Sequence, residues 1–325
     1  MAQLKNTTFD DTGFLQLPRG TTAERPGSPQ TGQMRFNTSL NIMEWYDATY
    51  TAWFPAGVIP PIATGGSISN ITQSGVNYRV HTFASIGATT FTVTRGGLVE
   101  YLIVAGGGSG ADVGGGGAGG VRTGQILLSA QAYTITVGAG APGAGDNTGP
   151  GDNGSLSSAF ELIAAGGGGA GGGFGQSRGN SGGSGGGGGR QPSGASWFSM
   201  GGAQVPGQGF QGGSAQNWYT ADWEGGGGGG AGIFGRDGIA SDWGGDGGQG
   251  ISSSIAGSLQ FYGGGGGSGS NSISGRGGIG GGGTGAAGGA GGNATGNTGG
   301  GGGGGWGGQC GAGGSGIVIV RYRTS

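Results

Sequence analysis

Seven carboxylates lie between the glycine runs of the sequence: Asp146, Asp152, Asp222, Glu224, Asp237, Asp242 and Asp246. Paired carboxylates cleave glycosidic bonds, and clustered carboxylates bind calcium. Enzymes that use them hold the acids on a rigid β-scaffold, whereas all seven fall in predicted loops. We therefore interpret them as solvated loop acids, and glycosidase-type chemistry stays open as an alternative.

Other residues that could do chemistry are few. His81 is the only histidine and falls in an alternating strand pattern, which indicates a structural role. Cys310 has no second thiol for a disulfide. Glycine strings such as 106–110 resemble phosphate-binding loops, but none is followed by the Lys-Ser/Thr pair of such loops. The sequence predicts no catalytic residue, no metal site and no cofactor, and hence no enzyme.

Aromatic residues give the strongest signal for binding. They stand between glycine runs, several of them beside Asp, Asn or Gln, and combine a large contact area with a polar atom. Two roles stay open for them, contact with a receptor or packing at the bundle ends and between subunits. The receptor-binding candidates are Trp197, Phe198, Phe210, Trp218, Tyr219, Trp223, Trp243, Phe261 and Tyr262.

The composition divides the chain into two parts. Glycine makes up 99 of 325 residues and charged residues only 9%. Residues 1–100 contain 11 glycines, which leaves 88 for residues 101–325. Collagen requires glycine at every third position with abundant proline, and here glycine forms unbroken runs with only 10 prolines. Disorder is the usual state of aperiodic glycine-rich chains. Disordered chains are poor in aromatic residues, however, whereas this chain has 7 Trp, 8 Tyr and 12 Phe.

An ordered alternative is polyglycine II, a left-handed helix with three residues per turn and a rise of about 3.1 Å. Without Cβ atoms, neighbouring segments can approach from every side and exchange backbone hydrogen bonds. Ordering glycine costs about 1–2 kcal/mol of backbone entropy per residue, whereas a net hydrogen bond returns about 1 kcal/mol. We therefore expect only a fully connected, laterally sealed bundle to persist.

The charge pattern excludes several partners. The net charge of −2 provides no basic surface for nucleic acid, and no apolar run approaches the ~18 residues of a membrane span. The N-terminal residues lack the apolar core of a signal peptide. We expect neither nucleic-acid binding nor membrane insertion, and synthesis in the cytoplasm.

The predicted fold class is β plus irregular structure, with essentially no helix. Residues 1–13 form an arm, 14–56 a small β-meander, 57–66 a linker, and 67–325 a glycine-rich domain. In the meander we predict strands over 33–38, 42–46 and 50–54. A meander of this size is barely stable alone, so its aromatic residues are expected to mediate oligomerisation. They are Phe36, Trp45, Tyr46 and Trp53.

Strand patterns open and close the glycine-rich domain. β-Branched and aromatic residues predict strands over 78–83, 89–94, 98–105, 124–128 and 133–137, and again over 316–323. This framework, at about 78–137 and 316–323, is expected to enclose a packed polyglycine II bundle with aromatic loops.

Two resemblances follow from these patterns. The motif Leu17-Pro-Arg-Gly-Thr-Thr-Ala-Glu-Arg-Pro26, with 32–38 and Glu44-Trp45-Tyr46, resembles a module of phage tail-fibre and tailspike proteins. The strands at 78–83, 91–94, 99–108 and 133–140, with the ending 313–322, are similar to a glycine-rich domain family of phage and bacterial surface proteins. Some phage fibre-tip adhesins resemble this chain in their glycine runs, which form polyglycine II while the intervening loops bind receptor.

These resemblances imply a phage virion protein, a tail fibre or receptor-binding adhesin that attaches to the host cell. The implied partners are further copies in a homotrimer, other virion proteins at the N-terminus, and a host polysaccharide or outer-membrane protein. Its implied location is the virion. Two alternatives stay open: a head fibre or decoration protein without a receptor role, and a tailspike-like depolymerase.

Overall fold

The computed structural model describes residues 16–48, 51–55, 60–145, 149–173, 177–190, 199–215, 224–239 and 243–324. The chain divides into two compact units, Met1–Ile59 and Pro60–Ser325. Across the described residues the structure is almost entirely β, with several sheets and no α-helix, which confirms the predicted fold class. No helix in this part of the chain is long and apolar enough to cross a bilayer.

The described residues of the N-terminal unit form one four-stranded sheet with a single 3-10 turn. Its strands lie in the order β1-β2-β3-β4, and β2, β3 and β4 form the predicted antiparallel meander. The short first strand adds a parallel pairing to β2 that the sequence analysis did not anticipate. The elements are β1 Arg19–Gly20, the 3-10 helix Thr22–Glu24, β2 Met34–Asn37, β3 Ile42–Asp47 and β4 Ala52–Pro55.

The second unit contains twelve strands among its described residues, most of them before residue 165. They are β5 Ile62–Thr64, β6 Ser67–Gln73, β7 Val76–Phe83, β8 Gly87–Arg95, β9 Gly97–Val104, β10 Val121–Leu128, β11 Ala132–Val137, β12 Ser157–Ala159, β13 Leu162–Ala164, β14 Ile251–Ser253, β15 Gln260–Tyr262 and β16 Ile317–Arg323.

Two five-stranded sheets form a sandwich. One has the order β10-β9-β16-β7-β6 and the other β13-β12-β11-β8-β5. The C-terminal strand β16 lies in the middle of the first sheet, antiparallel to both β9 and β7. Its side chains alternate as a strand requires. Val318 and Val320 pack into the core between the sheets, and Ile317 and Ile319 pack on the opposite face.

The linker predicted over 57–66 is wrong in its second half. Ile62–Thr64 forms β5, which pairs with β8 and buries Ala63 in the core between the sheets. Pro60 is also tied down, because its carbonyl accepts a 2.8 Å hydrogen bond from Arg95. The second unit therefore begins near residue 60.

Glycine-rich segments extend from the sandwich and bond to one another with a period of three. Three consecutive donors on segment 106–110 reach three different neighbours: Gly106 bonds to Ser155, Gly107 to Gly314, and Gly108 to Gly117. Three residues later the pattern repeats. The Ser109 N–H donates to Asp152, on the segment that also contains Ser155, and the Gly110 N–H donates to Gly311, on the segment that also contains Gly314. This is the outward, three-fold bonding of polyglycine II.

Segment 299–305 lies at the centre of this lattice. Its backbone N–H groups donate to three segments, at Gly264 and Gly267, at Gly108 and at Gly292, and Gly299 at its start also donates to Ser315, next to segment 311–314. It accepts bonds from three others, which are 113–119, 283–286 and 311–314. Six neighbouring segments therefore surround one glycine run, so the bundle predicted from the sequence forms a hexagonal array.

Candidate functional site

Exposed side chains of this lattice lie at its perimeter, where the larger residues recur at every third position. Met200, Ala203 and Pro206 are exposed on one outer segment, and Ala287, Ala290 and Asn293 on another. A helix with three residues per turn points every third residue in the same direction. On an outer segment that direction is solvent, whereas the other two positions face neighbouring backbone and are mostly glycine.

Three adjacent outer segments carry the largest such set, which we call the outer array. Segments 233–239 and 243–249 run antiparallel, joined by backbone bonds from Ile239 to Trp243 and from Arg236 to Asp246. Segments 243–249 and 273–279 run parallel, with Trp243 paired to Ile273. The outer array comprises Ile233, Arg236, Ile239, Trp243, Asp246, Gln249, Ile273, Arg276 and Ile279.

The array has three rows of different chemistry. The first row is apolar and well exposed, with Ile239 at 53%, Trp243 at 59% and Ile273 at 53%. The middle row is charged and consists of Arg236, Asp246 and Arg276. In the third row, exposed Ile233 and Ile279 flank Gln249. Successive rows lie about 9 Å apart, three residues of about 3.1 Å each.

The middle row is held by the backbone. Asp246 Oδ1 accepts a 2.8 Å hydrogen bond from the Arg276 backbone N–H, and Asp246 Oδ2 lies 3.9 Å from Arg236 Nη1. The Arg276 guanidinium makes no hydrogen bond or ion pair with the described residues. A groove of about 460 Å³ lies between the first two rows, and another of about 290 Å³ between the last two.

Several lattice segments end together, at what we call the loop end. Ser199 and Ala215 exchange backbone hydrogen bonds there, and Gly189 donates to Ser177. Gly238 donates to Ser214, which places Ile239 and the first row of the outer array at the same end. Arg190 and Ala215 precede the aromatic stretches 191–198 and 216–223 in the sequence, and those stretches lie outside the described ranges.

A buried ion pair lies at the loop end. Asp112 pairs with Arg190 at 3.3 Å, and both side chains are almost fully buried. The Arg190 guanidinium lies 5.4 Å from the centre of the Trp306 ring. Burial raises the pKa of Asp112, while Arg190 acts in the opposite direction. The Asp112–Arg190 pair lies where the glycine runs end, and the Trp306 ring packs against its guanidinium. Trp306 therefore has a packing role and not a recognition role.

The predicted aromatic contacts divide into three groups. Trp197, Phe198, Trp218, Tyr219 and Trp223 lie outside the described residues. Trp243, Phe210 and Phe261 are exposed, and only Trp243 belongs to the outer array. Tyr262 is 6% exposed and packs with Val80 and Leu102 in the second core, so its prediction as a receptor contact is corrected.

The residues set aside as structural occupy structural positions. His81 is fully buried between the sheets; its Nδ1 donates to the Gly65 carbonyl at 2.7 Å, and its Nε2 lies 3.2 Å from the Tyr322 hydroxyl. Burial lowers the pKa of His81, which favours the neutral ring. Cys310 is also buried.

Among the described carboxylates, Asp237 and Asp246 accept backbone hydrogen bonds, Glu224 lies inside the lattice and Asp152 is exposed. Asp237 Oδ1 accepts from the Ser214 N–H at 2.6 Å, and Glu224 is fully buried. Asp146, Asp222 and Asp242 fall outside the described ranges. Over the residues that are described, no three His, Cys, Asp or Glu side chains group closely enough to hold a metal ion.

A buried charge network organises the N-terminal unit, and no sequence pattern indicates it. Glu44 is 1% exposed and pairs with Arg25 at 2.6 Å and Arg35 at 3.5 Å. Asn37 donates to the same carboxylate at 3.1 Å. Arg35 also donates to the carbonyls of Thr21 and Glu24, which fixes the 3-10 turn against the sheet. The motif residues of 17–26 and 32–44 are therefore held together by this one charge network.

The predicted oligomerisation residues lie on both faces of this sheet. Phe36 and Trp45 share one face with Met34 and Met43, because Met34 is opposite Trp45 and Phe36 is opposite Met43. Met34 is 43% exposed, and the other three are half-buried. On the opposite face, Tyr46 and Trp53 contact each other, with ring centres 5.4 Å apart. One face of the sheet is thus an apolar surface.

The comparisons with known proteins agree with the lattice. The sequence matches none of the curated proteins with which it was compared. A family model described as a glycine-rich domain matches residues 82–323, which include most of the sandwich and the whole polyglycine II lattice. The match covers well over half of the chain, so the protein belongs to this glycine-rich domain family.

Proposed function

We propose that the protein is a phage virion fibre subunit, a receptor-binding adhesin that attaches the particle to its host without enzymatic activity. In this proposal the N-terminal unit joins the subunit to other virion proteins, and the glycine-rich domain presents its binding residues to the host surface. The glycine-rich family and the fibre-like motif at 17–46 support this assignment.

One observation carries the proposal: the lattice can present side chains only at its perimeter and its loop end. Interior segments are glycine because backbone lies against them on every side. The segments that lead into the aromatic stretches 191–198 and 216–223 end side by side at the loop end, together with Trp243. A rigid scaffold whose segment ends lie side by side before aromatic stretches of the sequence suits recognition better than catalysis.

We expect substitution of the aromatic contact candidates to reduce host adsorption. Replacing Trp218, Trp223 and Trp243 together by alanine removes three of the large side chains predicted to contact the receptor, and each central contact contributes about 2 kcal/mol or more. Adsorption of variant virions to host cells is the measurement. Ile163→Ala, which removes an exposed apolar side chain from β13, should leave adsorption unchanged.

The alternatives make different predictions for the same particles. A capsid fibre without a receptor role predicts normal adsorption of the triple variant, which would contradict our proposal. A depolymerase predicts that Asp222→Asn or Asp242→Asn abolishes polysaccharide cleavage while binding persists. Electron microscopy of labelled virions adds the location, and a capsid position would also count against the tail-fibre assignment.

We further propose that the subunit forms a homotrimer through the apolar face of its N-terminal sheet. A four-stranded sheet needs a second layer to bury such a face. In the full chain, replacing Trp45 by aspartate puts a charge on that face and should convert the trimer into monomers. Sedimentation should show this change, and Ile68→Asp on an exposed strand should remain trimeric. A monomeric parent protein would rule the proposal out.

A further inference from the structure

We propose that the outer array binds an anionic saccharide, through the apolar face of a sugar ring on Trp243 and a carboxylate or phosphate between Arg236 and Arg276. This inference rests on the proposed adhesin function and names the chemical class of its ligand.

The shape of the array suits a sugar ring. Trp243 is 59% exposed and lies between Ile239 and Ile273, so the three form an apolar platform along one row. The C–H face of a pyranose can pack on such a platform while its hydroxyls point elsewhere. The groove of about 460 Å³ beside this row also reaches the charged middle row, so a single ligand can contact both.

The arginines of the middle row can bind an anion. Arg236 and Arg276 line the groove together with two carboxylates, Asp246 and Asp237, each of which already accepts a backbone hydrogen bond. The Arg276 guanidinium makes no hydrogen bond or ion pair with the described residues, so its donors are available to an acidic group. The Arg236 side chain is 74% exposed, and its Nη1 lies 3.9 Å from Asp246 Oδ2. This ion pair is long and weak, so an anionic ligand can displace Asp246 from Arg236. The planar guanidinium forms two parallel hydrogen bonds to a carboxylate or phosphate, so two arginines on adjacent segments provide several donors for one acidic group.

Asp246 adds selectivity for hydroxyl groups. Its Oδ1 accepts from the Arg276 backbone, which fixes the position of the carboxylate. An ionised carboxylate has about four acceptor positions, so capacity remains for sugar hydroxyls. The outer segments are joined to one another by backbone hydrogen bonds, so the array changes little on binding, and a preorganised site loses little entropy when it orders a ligand.

Calorimetry with three probes tests the proposal. Oligogalacturonate carries carboxylates, phosphorylated mannan carries phosphates, and dextran is neutral. We expect binding to one or both anionic probes, none to dextran, and weaker binding as the salt concentration rises, because ion pairs at an exposed site are screened. The stronger anionic probe identifies the acidic group. Binding to none of the probes, or equal binding to dextran, would overturn the proposal.

Three variants locate the site. Trp243→Ala and Arg276→Gln should each weaken binding to the anionic probe about tenfold or more. Arg178→Gln removes another exposed arginine, outside the outer array, and should have no effect. Thermal unfolding curves that match the parent confirm that each variant is folded. Equal loss in all three variants would indicate non-specific charge attraction and reject the site.

A second copy of the chain is the competing occupant, because Arg236 and Asp246 could pair with their counterparts across a two-fold axis. Sedimentation of the Trp243→Ala variant decides this: a change in oligomeric state would assign the array to self-association and overturn the saccharide proposal. The fibre assignment is tested separately. If virions with a variant that no longer binds saccharide adsorb normally, the adhesin function is contradicted. If the variant virions lose adsorption although the parent protein binds no saccharide probe, only this inference is contradicted.

Discussion

A single methyl group at Gly302 is expected to lower the free energy of unfolding of the glycine-rich unit by about 3 kcal/mol or more. A Cβ atom there would overlap the carbonyl group of Gly311 and lie 2.9 Å from the Ala312 carbonyl carbon. The obstacle is backbone that is itself bonded to Gly303 and Gly300, so no side chain can rotate away. The strain would therefore spread to several segments.

Gly145→Ala is the matched control in the same unit. Nothing lies within 4 Å of a Cβ at Gly145, and its φ is outside the left-handed region. Alanine at such a position reduces the freedom of the unfolded chain, so stability should be unchanged or raised by up to about 1 kcal/mol. Denaturant unfolding of both variants measures the difference. Equal stability of Gly302→Ala and the parent would contradict the close-packed lattice.

Replacing Glu44 by glutamine is expected to unfold the N-terminal unit and leave the glycine-rich unit intact. The amide keeps the volume of the side chain but removes the charge that compensates Arg35, which is only 5% exposed. Removing one partner of a buried ion pair costs about 3–5 kcal/mol. A unit of this size has a total stability of only a few kcal/mol.

Hydrogen exchange followed by mass spectrometry separates the two units in the full chain. Peptides that cover 34–47 should lose protection in Glu44→Gln, while those that cover 299–305 keep it. Glu24→Gln is the control, since that carboxylate is exposed and bonds only to the adjacent Thr21. Retained protection at 34–47 would show that the buried charge network is dispensable.

The strands that the sequence predicted are those with a strong local signal. Residues 89–94 and 317–320 combine β-branched and aromatic residues with alternation, and they form β8 and β16. A buried strand in a sandwich must present apolar side chains to at least one core, which leaves this signal in the sequence. The observed strand boundaries differ from the predicted ones by one to three residues. Strand pairing extends to Gly87 and Val121, where the local composition does not indicate a strand.

The strands that were missed have no such signal. Ser67–Gln73 is the outer strand β6, mostly exposed and rich in Ser, Asn and Thr, so its residues resemble a loop. The turn between β12 and β13 consists of Phe160 and Glu161, both at positive φ, where glycine or asparagine would be expected. Both elements depend on the sheets that they join, and only long-range contacts define them.

The outer array was hidden for a different reason. Aromatic content drew attention to Trp243, but Arg236, Arg276 and the isoleucines around it appeared to be isolated residues between glycines. Their common spacing of three is visible in the sequence, as in Ile273-Ser-Gly-Arg276-Gly-Gly-Ile279. That spacing indicates a shared face only once the segment is known to be a three-fold helix. Which segments lie side by side depends on the whole lattice, and the sequence does not reveal it.

The three-residue turn of the outer segments restricts how this protein can change length during evolution. An insertion of three residues in segment 273–279 adds one full turn and keeps Ile273, Arg276 and Ile279 on the outside. An insertion of one or two residues rotates everything beyond it by about a third of a turn and directs arginine or isoleucine into neighbouring backbone. Length variation should therefore accumulate in multiples of three on the outer segments, in any number in the stretches at the loop end, and not at all in 299–305.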